Sequence, residues 1–241
     1  MRKRYLCGAF VGVLVIAAAL SATAGGGTTS RWHGPVHMRT NSTSTNWSGY
    51  AVTGGRYTSV SSSWTVPAVS CSGTAYSSFW VGLDGDTSGT VEQTGTDSDC
   101  SGSTPQYYAW YEMYPKFPSN FRDPVSPGDH MSASVTTTGN GQFTLTISDT
   151  TRGWTESTNA RLKSAKLASA EVIAEAPSSS GGVLPLANFG TVNFSGASAN
   201  GALLTGSTPG IDAITMASGS TVKAQPSSIS NGSFSVAWKH S

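Results

Sequence analysis

The sequence predicts an all-β domain, a sandwich or barrel of short strands, on three observations. The first is alternation. Gln142-Phe143-Thr144-Leu145-Thr146-Ile147-Ser148 switches between polar and apolar with period two, as do residues 191–195 and 233–238, the pattern of strands that bury one face. The second is punctuation: Thr53-Gly54-Gly55, Gly139-Asn140-Gly141, Ser180-Gly181-Gly182 and Asn231-Gly232 fall between such runs, where turn chemistry belongs. The third is composition. Only 11% of the 241 residues are charged, against roughly a quarter in an average soluble domain. Polarity comes instead from Ser, Thr and amides, alongside 28 Gly, 7 Trp, 8 Tyr and 8 Phe. So many aromatics exclude a chain without a core, and so few clustered cations disfavour a nucleic-acid binder.

The N-terminus stands apart from this domain. Arg2, Lys3 and Arg4 precede an apolar run over residues 6–20, and Ala22-Thr23-Ala24 follows as a cleavage site. That order is a secretory signal peptide over residues 1–24, and the run is shorter than the roughly 20 residues a membrane span needs. The protein is therefore expected to be secreted and extracellular, with no membrane association once the signal is removed. Residues 25–40 form a basic leader or short pro-segment carrying Arg31, His33, His37 and Arg39. Residues 1–40 hold five of the 14 Lys and Arg and no acid, which leaves nine bases against 13 acids, a net of −4, in the domain at 41–241. Of the cysteines only Cys71 and Cys100 then remain, and in an oxidising compartment they pair most simply as one disulfide.

Residues 161–176 (RLKSAKLASAEVIAEA) read two ways. Propensity leans towards a helix. As a strand, the segment would put Glu171, Ile173 and Glu175 on one face and Ala170, Val172 and Ala174 on the other.

The residue inventory narrows the chemistry. After the leader only His130 and His240 remain, no Gly-x-Ser-x-Gly surrounds a candidate serine, and neither His-rich metal motifs nor phosphate loops occur. No metal and no cofactor is expected. A hydrolase made from these residues relies on carboxylates, amides and aromatics. They gather in a few blocks: NWSGYA at 46–51, FWVGLDG at 79–85, VEQTGTD at 91–97, YYAWYEMYP at 107–115, and AEVIAEAP at 170–177 with LANFGTV at 186–192. In strand geometry Trp80 shares a face with Asp84, Gln93 with Asp97, and Tyr108, Trp110, Glu112 and Tyr114 with one another. A carboxylate among aromatic rings is partly desolvated, which suits acid–base work at low pH.

Together and in this order, the blocks resemble those of the glutamic peptidases, the eqolisin family of secreted acid endopeptidases. The resemblance implies a concanavalin A-like sandwich of two antiparallel sheets, about seven strands each, with a cleft on the concave face. It turns the ambiguous segment towards strand. It implies a catalytic pair, Gln93 opening the QTGTD block and Glu175 closing the AEVIAE block. Trp80, Asp84, Asp97, Glu112 and Trp110 are then substrate-binding or supporting residues. Trp80 is expected to be exposed in the cleft, while Trp110 reads equally as core or cleft. One departure is plain: Val172 stands where the family often has Trp. The implied partners are protein or peptide substrates of a monomeric enzyme.

A second reading comes from another class, a carbohydrate-binding or carbohydrate-active sandwich with Trp80, Trp110 and the tyrosines as stacking platforms. A retaining glycosidase needs two carboxyls about 5–5.5 Å apart, whereas Glu171 and Glu175, four residues apart on one strand, stand roughly 13 Å apart by strand rise. Gln93 has no part in that chemistry. Four N-x-S/T sequons, at Asn41, Asn46, Asn193 and Asn231, are weak signals for glycans, and that of Asn46 lies inside a block.

Overall fold

The structure, a computed structural model, describes residues 43–86 and 88–241; the signal peptide, the leader and Asn41 lie outside them. Among the described residues all the regular elements are strands. In chain order they are β1 (Thr43–Ser44), β2 (Trp47–Thr53), β3 (Ser59–Thr65), β4 (Ser78–Leu83), β5 (Val91–Ser101) and β6 (Thr104–Tyr114). Next come β7 (Ser119–Pro124), β8 (His130–Thr137), β9 (Gln142–Asp149), β10 (Trp154–Arg161), β11 (Ser169–Glu175) and β12 (Ser178–Ser179). The last are β13 (Gly182–Val183), β14 (Thr191–Ala199), β15 (Ala202–Leu203), β16 (Ile211–Ser218), β17 (Thr221–Pro226) and β18 (Phe234–Trp238). The three alternating runs read from sequence are β9, β14 and β18.

One hydrogen-bonded path runs β10-β9-β8-β3-β14-β18-β17-β16-β2-β11-β4-β5-β6-β7, antiparallel at every step. It doubles over at β16, whose first half pairs with β2 and whose second half pairs with β17 across a register shift. The layer of β2, β11, β4, β5 and β6 thus packs on the layer of β3, β8, β9 and β14. Between them lie Phe79, Val81, Leu83 and Val172 from one side and Trp64, Met131, Phe143, Leu145, Ile147 and Phe194 from the other. A buried polar stitch crosses the layers, Trp64 Nε1 donating to Thr96 Oγ1 at 3.0 Å.

Residues 161–176 resolve into the end of β10, a loop at 162–168, and β11. Helix propensity loses because β11 is paired on both edges, to β2 and to β4. The loop has its own tether. Asp84, just past β4 at φ 66°, turns its carboxylate onto three backbone amides and accepts from Lys166 N (2.7 Å), Leu167 N (2.8 Å) and Ala168 N (2.8 Å).

Two other carboxyls nearby lack such donors. Glu92 and Glu171 are buried, and none of their oxygens meets hydrogen-bond geometry. Burial pushes Glu92 up to about 9, with the charge of Asp84 adding to it and the Thr90 hydroxyl opposing. Burial likewise raises Glu171 well above the ordinary Glu value, opposed by Ser169 and reinforced by Asp86, Asp84 and Glu92.

Two predictions follow from these features. The folded state holds the Glu92 proton over a range where the unfolded chain releases it, so that stability is fully present below the ordinary Glu pKa and is lost as pH rises towards 9. Glu92→Gln should flatten this slope and exceed wild type at pH 7 by at least about 1.4 kcal/mol, one pKa unit's worth. Urea titrations at pH 4 and 7 measure it, and parallel curves for the two proteins would refute it. The second concerns the covalent brace. Cys71 and Cys100 form a disulfide with their Cα atoms 5.4 Å apart and a sequence separation of 29, pinning the end of β5 to the segment before β4. Replacing both with Ala should cost about 3–4 kcal/mol on chain-entropy grounds, read as a lower urea midpoint.

Candidate active site

Alternation gives the layer β16-β2-β11-β4-β5-β6 a second face, turned away from the core, and register arranges it in rows. One row reads Glu171–Gly82–Gln93–Glu112, the next Ile173–Trp80–Gly95–Trp110, the third Glu175–Ser78–Asp97–Tyr108. This face has an apolar cluster of its own, with Trp47, Ala51, Trp80, Val91, Trp110, Ile173 and Ile214.

Glycines make room for it. A Cβ on Gly95 would collide with the Phe79 carbonyl and the Trp80 side chain, and one on Gly82 would come within 2.9 Å of the Trp80 ring. With both absent, the indole of Trp80 lies along the sheet, edge-on to Trp47 at a centroid distance of 5.1 Å. One side of Trp80 borders Gly82, the immediate neighbour of Gln93, and its N–H donates to Glu175 Oε2 at 2.7 Å. Asn46 Nδ2 donates to the other oxygen, Oε1, at 2.9 Å. Glu175 is thus gripped by two neutral donors whose N–H dipoles stabilise its charge.

Gln93 is buried across the diagonal from Glu175, with Trp80 between them, and its amide nitrogen donates to Glu112 Oε2 at 2.9 Å. Asp97 accepts the Trp110 indole N–H at 2.6 Å on Oδ1 and meets the Tyr108 hydroxyl at 2.8 Å on Oδ2. Gln93, Glu175, Trp80, Trp110, Asp97 and Glu112 therefore share one face. Asp84 does not join the rows; its carboxylate is spent on the 166–168 loop.

Trp80 departs from expectation. It is 0% exposed, as is Trp110; both rings belong to the buried cluster and commit their N–H groups to carboxylates. A stacking platform for sugars needs an open ring face, so the carbohydrate reading loses its footing. Sequence reasoning also gave no role to Asn46 or Asp99, and gave Tyr108 one only as a stacking platform in the carbohydrate reading. The signal for Asn46 was its sequon inside a block: a buried amide bonded to Glu175 is no glycan acceptor.

The comparisons agree with this arrangement. Aspergillopepsin-2 of Aspergillus niger is 32% identical over 182 residues, covering 65% of this chain and 64% of the relative. Scytalidopepsin B of Scytalidium lignicola is 35% identical over 120 residues, 49% of this chain and 45% of the relative. The match thus spans less than two thirds of either curated relative. Among solved structures, scytalido-glutamic peptidase with a transition state analog inhibitor superposes with TM-score 0.72 at 28% identity, covering 81% of this chain and 98% of that one. Aspergilloglutamic peptidase from Aspergillus niger gives TM-score 0.61 at 27% identity over 68% of this chain and 99% of the other. The peptidase A4 family model matches residues 45–238, a stretch that holds every strand carrying the rows, Asn46 and the disulfide; the chain belongs to the peptidase A4 family.

Proposed function

We propose that this chain is a secreted, monomeric acid endopeptidase of the glutamic type, acting on protein or peptide substrates through Glu175 and Gln93. The observation that carries the reading is Glu175 itself, a buried carboxylate with two neutral N–H donors, on the same sheet face as Gln93 and separated from it by one indole.

The steps use only these side chains. Glu175, ionised, takes a proton from a water as its oxygen attacks the scissile carbonyl carbon. The Gln93 amide N–H donates to the oxyanion that develops on the carbonyl oxygen, stabilising charge where it appears. Glu175, now protonated, passes that proton to the leaving nitrogen as the C–N bond breaks, giving a carboxylic acid and an amine. Trp80 and Asn46 keep the Glu175 carboxylate from rotating away between the two transfers.

Glu175→Gln keeps the shape and one of the two N–H contacts, at its remaining oxygen, but removes the base, and should lose essentially all turnover. Gln93→Ala removes an oxyanion donor and should lower kcat by at least about 10²–10³. The measurement is kcat at pH 3–4 on a denatured protein, with folding checked by circular dichroism. A folded Glu175→Gln variant that cleaves at near wild-type rate would overturn the reading, and cleavage of polysaccharides instead of protein would replace it.

The leader extends the proposal. Its cations, Arg31 and Arg39 with His33 and His37, oppose a domain of net charge −4. At neutral pH they would be attracted to its carboxylates; as pH falls these protonate and the attraction fades. Protein made without residues 25–40 should then be the more active near pH 6 and equal to the longer form near pH 3. Equal activity at every pH would remove the idea.

A further inference from the structure

The Trp80 indole N–H reaches Glu175 as a group that only donates. Asn46 is not restricted in that way. Its side chain carries an acceptor at Oδ1 and donors at Nδ2, and either end could be turned to a carboxyl group. Which end meets Glu175 is decided two residues earlier in the chain.

The hydroxyl of Ser44 is fully committed. Its oxygen accepts the backbone N–H of Asn46 at 3.2 Å and that of Trp47 at 3.0 Å. A hydroxyl has two acceptor sites and one proton, so only its O–H is left for a side chain. That O–H donates to Asn46 Oδ1 at 3.1 Å. Nδ2 in the same place would set donor against donor. The carbonyl end of the amide is therefore held at Ser44, and the nitrogen end donates to Glu175 Oε1 at 2.9 Å. Ser44 is 3% exposed and Asn46 0%, so bulk water does not compete freely for either.

The backbone around the pair is fixed on both sides. β1 runs parallel to β16, with Thr43 opposite Thr215 and Ser44 opposite Met216. The Asn46 carbonyl accepts the Ala176 N–H at 2.8 Å, and Trp47 stands opposite Glu175. The main chain thus holds the Asn46 side chain beside Glu175, and the turn of the amide is the freedom that Ser44 controls.

We infer that Ser44 is a positioning residue for the reaction: its hydroxyl locks the Asn46 amide with the nitrogen towards Glu175, so that this oxygen of the base meets a donor. The inference rests on the peptidase reading. A donor favours the ionised form of Glu175, the form that takes the proton from water. A turned amide would present Oδ1 instead, which repels a carboxylate and accepts the proton of a carboxylic acid. Glu175 would then be held in the form that is no base. The lock serves the return step as well, because a donating amide offers no acceptor for the proton that Glu175 passes to the leaving nitrogen.

Ser44→Ala tests this. The acid limb of the kcat/KM profile reports the ionisation of the essential base in the free enzyme. It should move up by about half a pH unit or more, so that activity falls more near pH 3 than near pH 5. The titratable side chains around Glu175 are Glu171 on its own strand, Asp97 and Asp99 on β5, Tyr108, Glu112 and Tyr114 on β6, Tyr76 before β4 and Asp212 on β16. All of them are the same in variant and wild type. Asn46→Ala should move the limb in the same direction, and adding Ser44→Ala in that background should move it no further. A folded Ser44→Ala enzyme with an unmoved limb overturns the inference, as does a shift that persists in full on top of Asn46→Ala. A hydroxyl that only closed the turn at 44–47 would change stability and leave the limb in place. Should Ser44→Ala fail to fold, the wild type decides. By NMR without substrate, the side-chain NH₂ resonances of Asn46 should follow an acid titration that is absent in Glu175→Gln. Resonances that do not move, or that titrate equally in Glu175→Gln, overturn the inference. That measurement needs no turnover, so its failure is distinct from turnover surviving in Glu175→Gln.

Discussion

Five neighbouring strands, β2, β11, β4, β5 and β6, bury six carboxyl groups without a single Lys, Arg or His among their residues. The rest of the structure depends on that constraint. Taking a carboxylate out of water is costly unless something answers its charge, and these five strands supply no cation of their own. Neutral N–H donors serve Glu175 and Asp97, while backbone amides serve Asp84 at the end of β4. Glu92 and Glu171 have no such donors and keep their protons. A sheet built this way favours the pH range in which Glu92 and Glu171 stay neutral.

The same strands make both core and site, because each alternates. Phe79, Val81 and Leu83 enter the interlayer core; Ser78, Trp80 and Gly82, the residues between, build the outer face. The outer face needs space as much as it needs functional groups. Gly82 and Gly95 flank Trp80 on its own and the adjacent strand, and each would collide with the ring or its stem if it carried a side chain. Glycine here makes a bed for an indole, and the indole in turn delivers an N–H to a carboxylate 95 residues further along the chain.

What the sequence revealed follows from what is local. Period-two alternation is a local signal, and β9, β14 and β18 were legible from it; so was the pairing of the only two cysteines downstream of the leader. The residues of the site were legible as blocks, through resemblance, but their contacts were not. Asn46 reaches Glu175 across 129 residues, and no spacing rule connects them. The 161–176 segment misled propensity because its conformation is imposed from outside, by two flanking strands and by Asp84 capturing the amides of Lys166, Leu167 and Ala168. Trp80 misled in the opposite sense: an aromatic in a cleft motif suggested exposure, whereas the ring is buried and its N–H goes to Glu175.

Glu171 and Glu175 show how far environment, rather than residue type, assigns the chemistry. They lie four residues apart on β11 and project from the same face of it. Glu175 pairs with Ser78 and Trp47 and receives the N–H groups of Trp80 and Asn46. Glu171 pairs with Gly82 and Ala51, which have no side-chain donor to give, and it faces the charges of Asp86, Asp84 and Glu92. The indole that separates the two rows has a single N–H, and it goes to Glu175; Glu171 receives none, and burial raises its pKa well above the ordinary Glu value. Two carboxyls in such different surroundings are the usual setting of a divided acid–base role, yet roughly 13 Å of strand separates this pair. In the proposed reaction Glu171 is therefore no acid partner, and Glu175 has to move the proton in both directions itself.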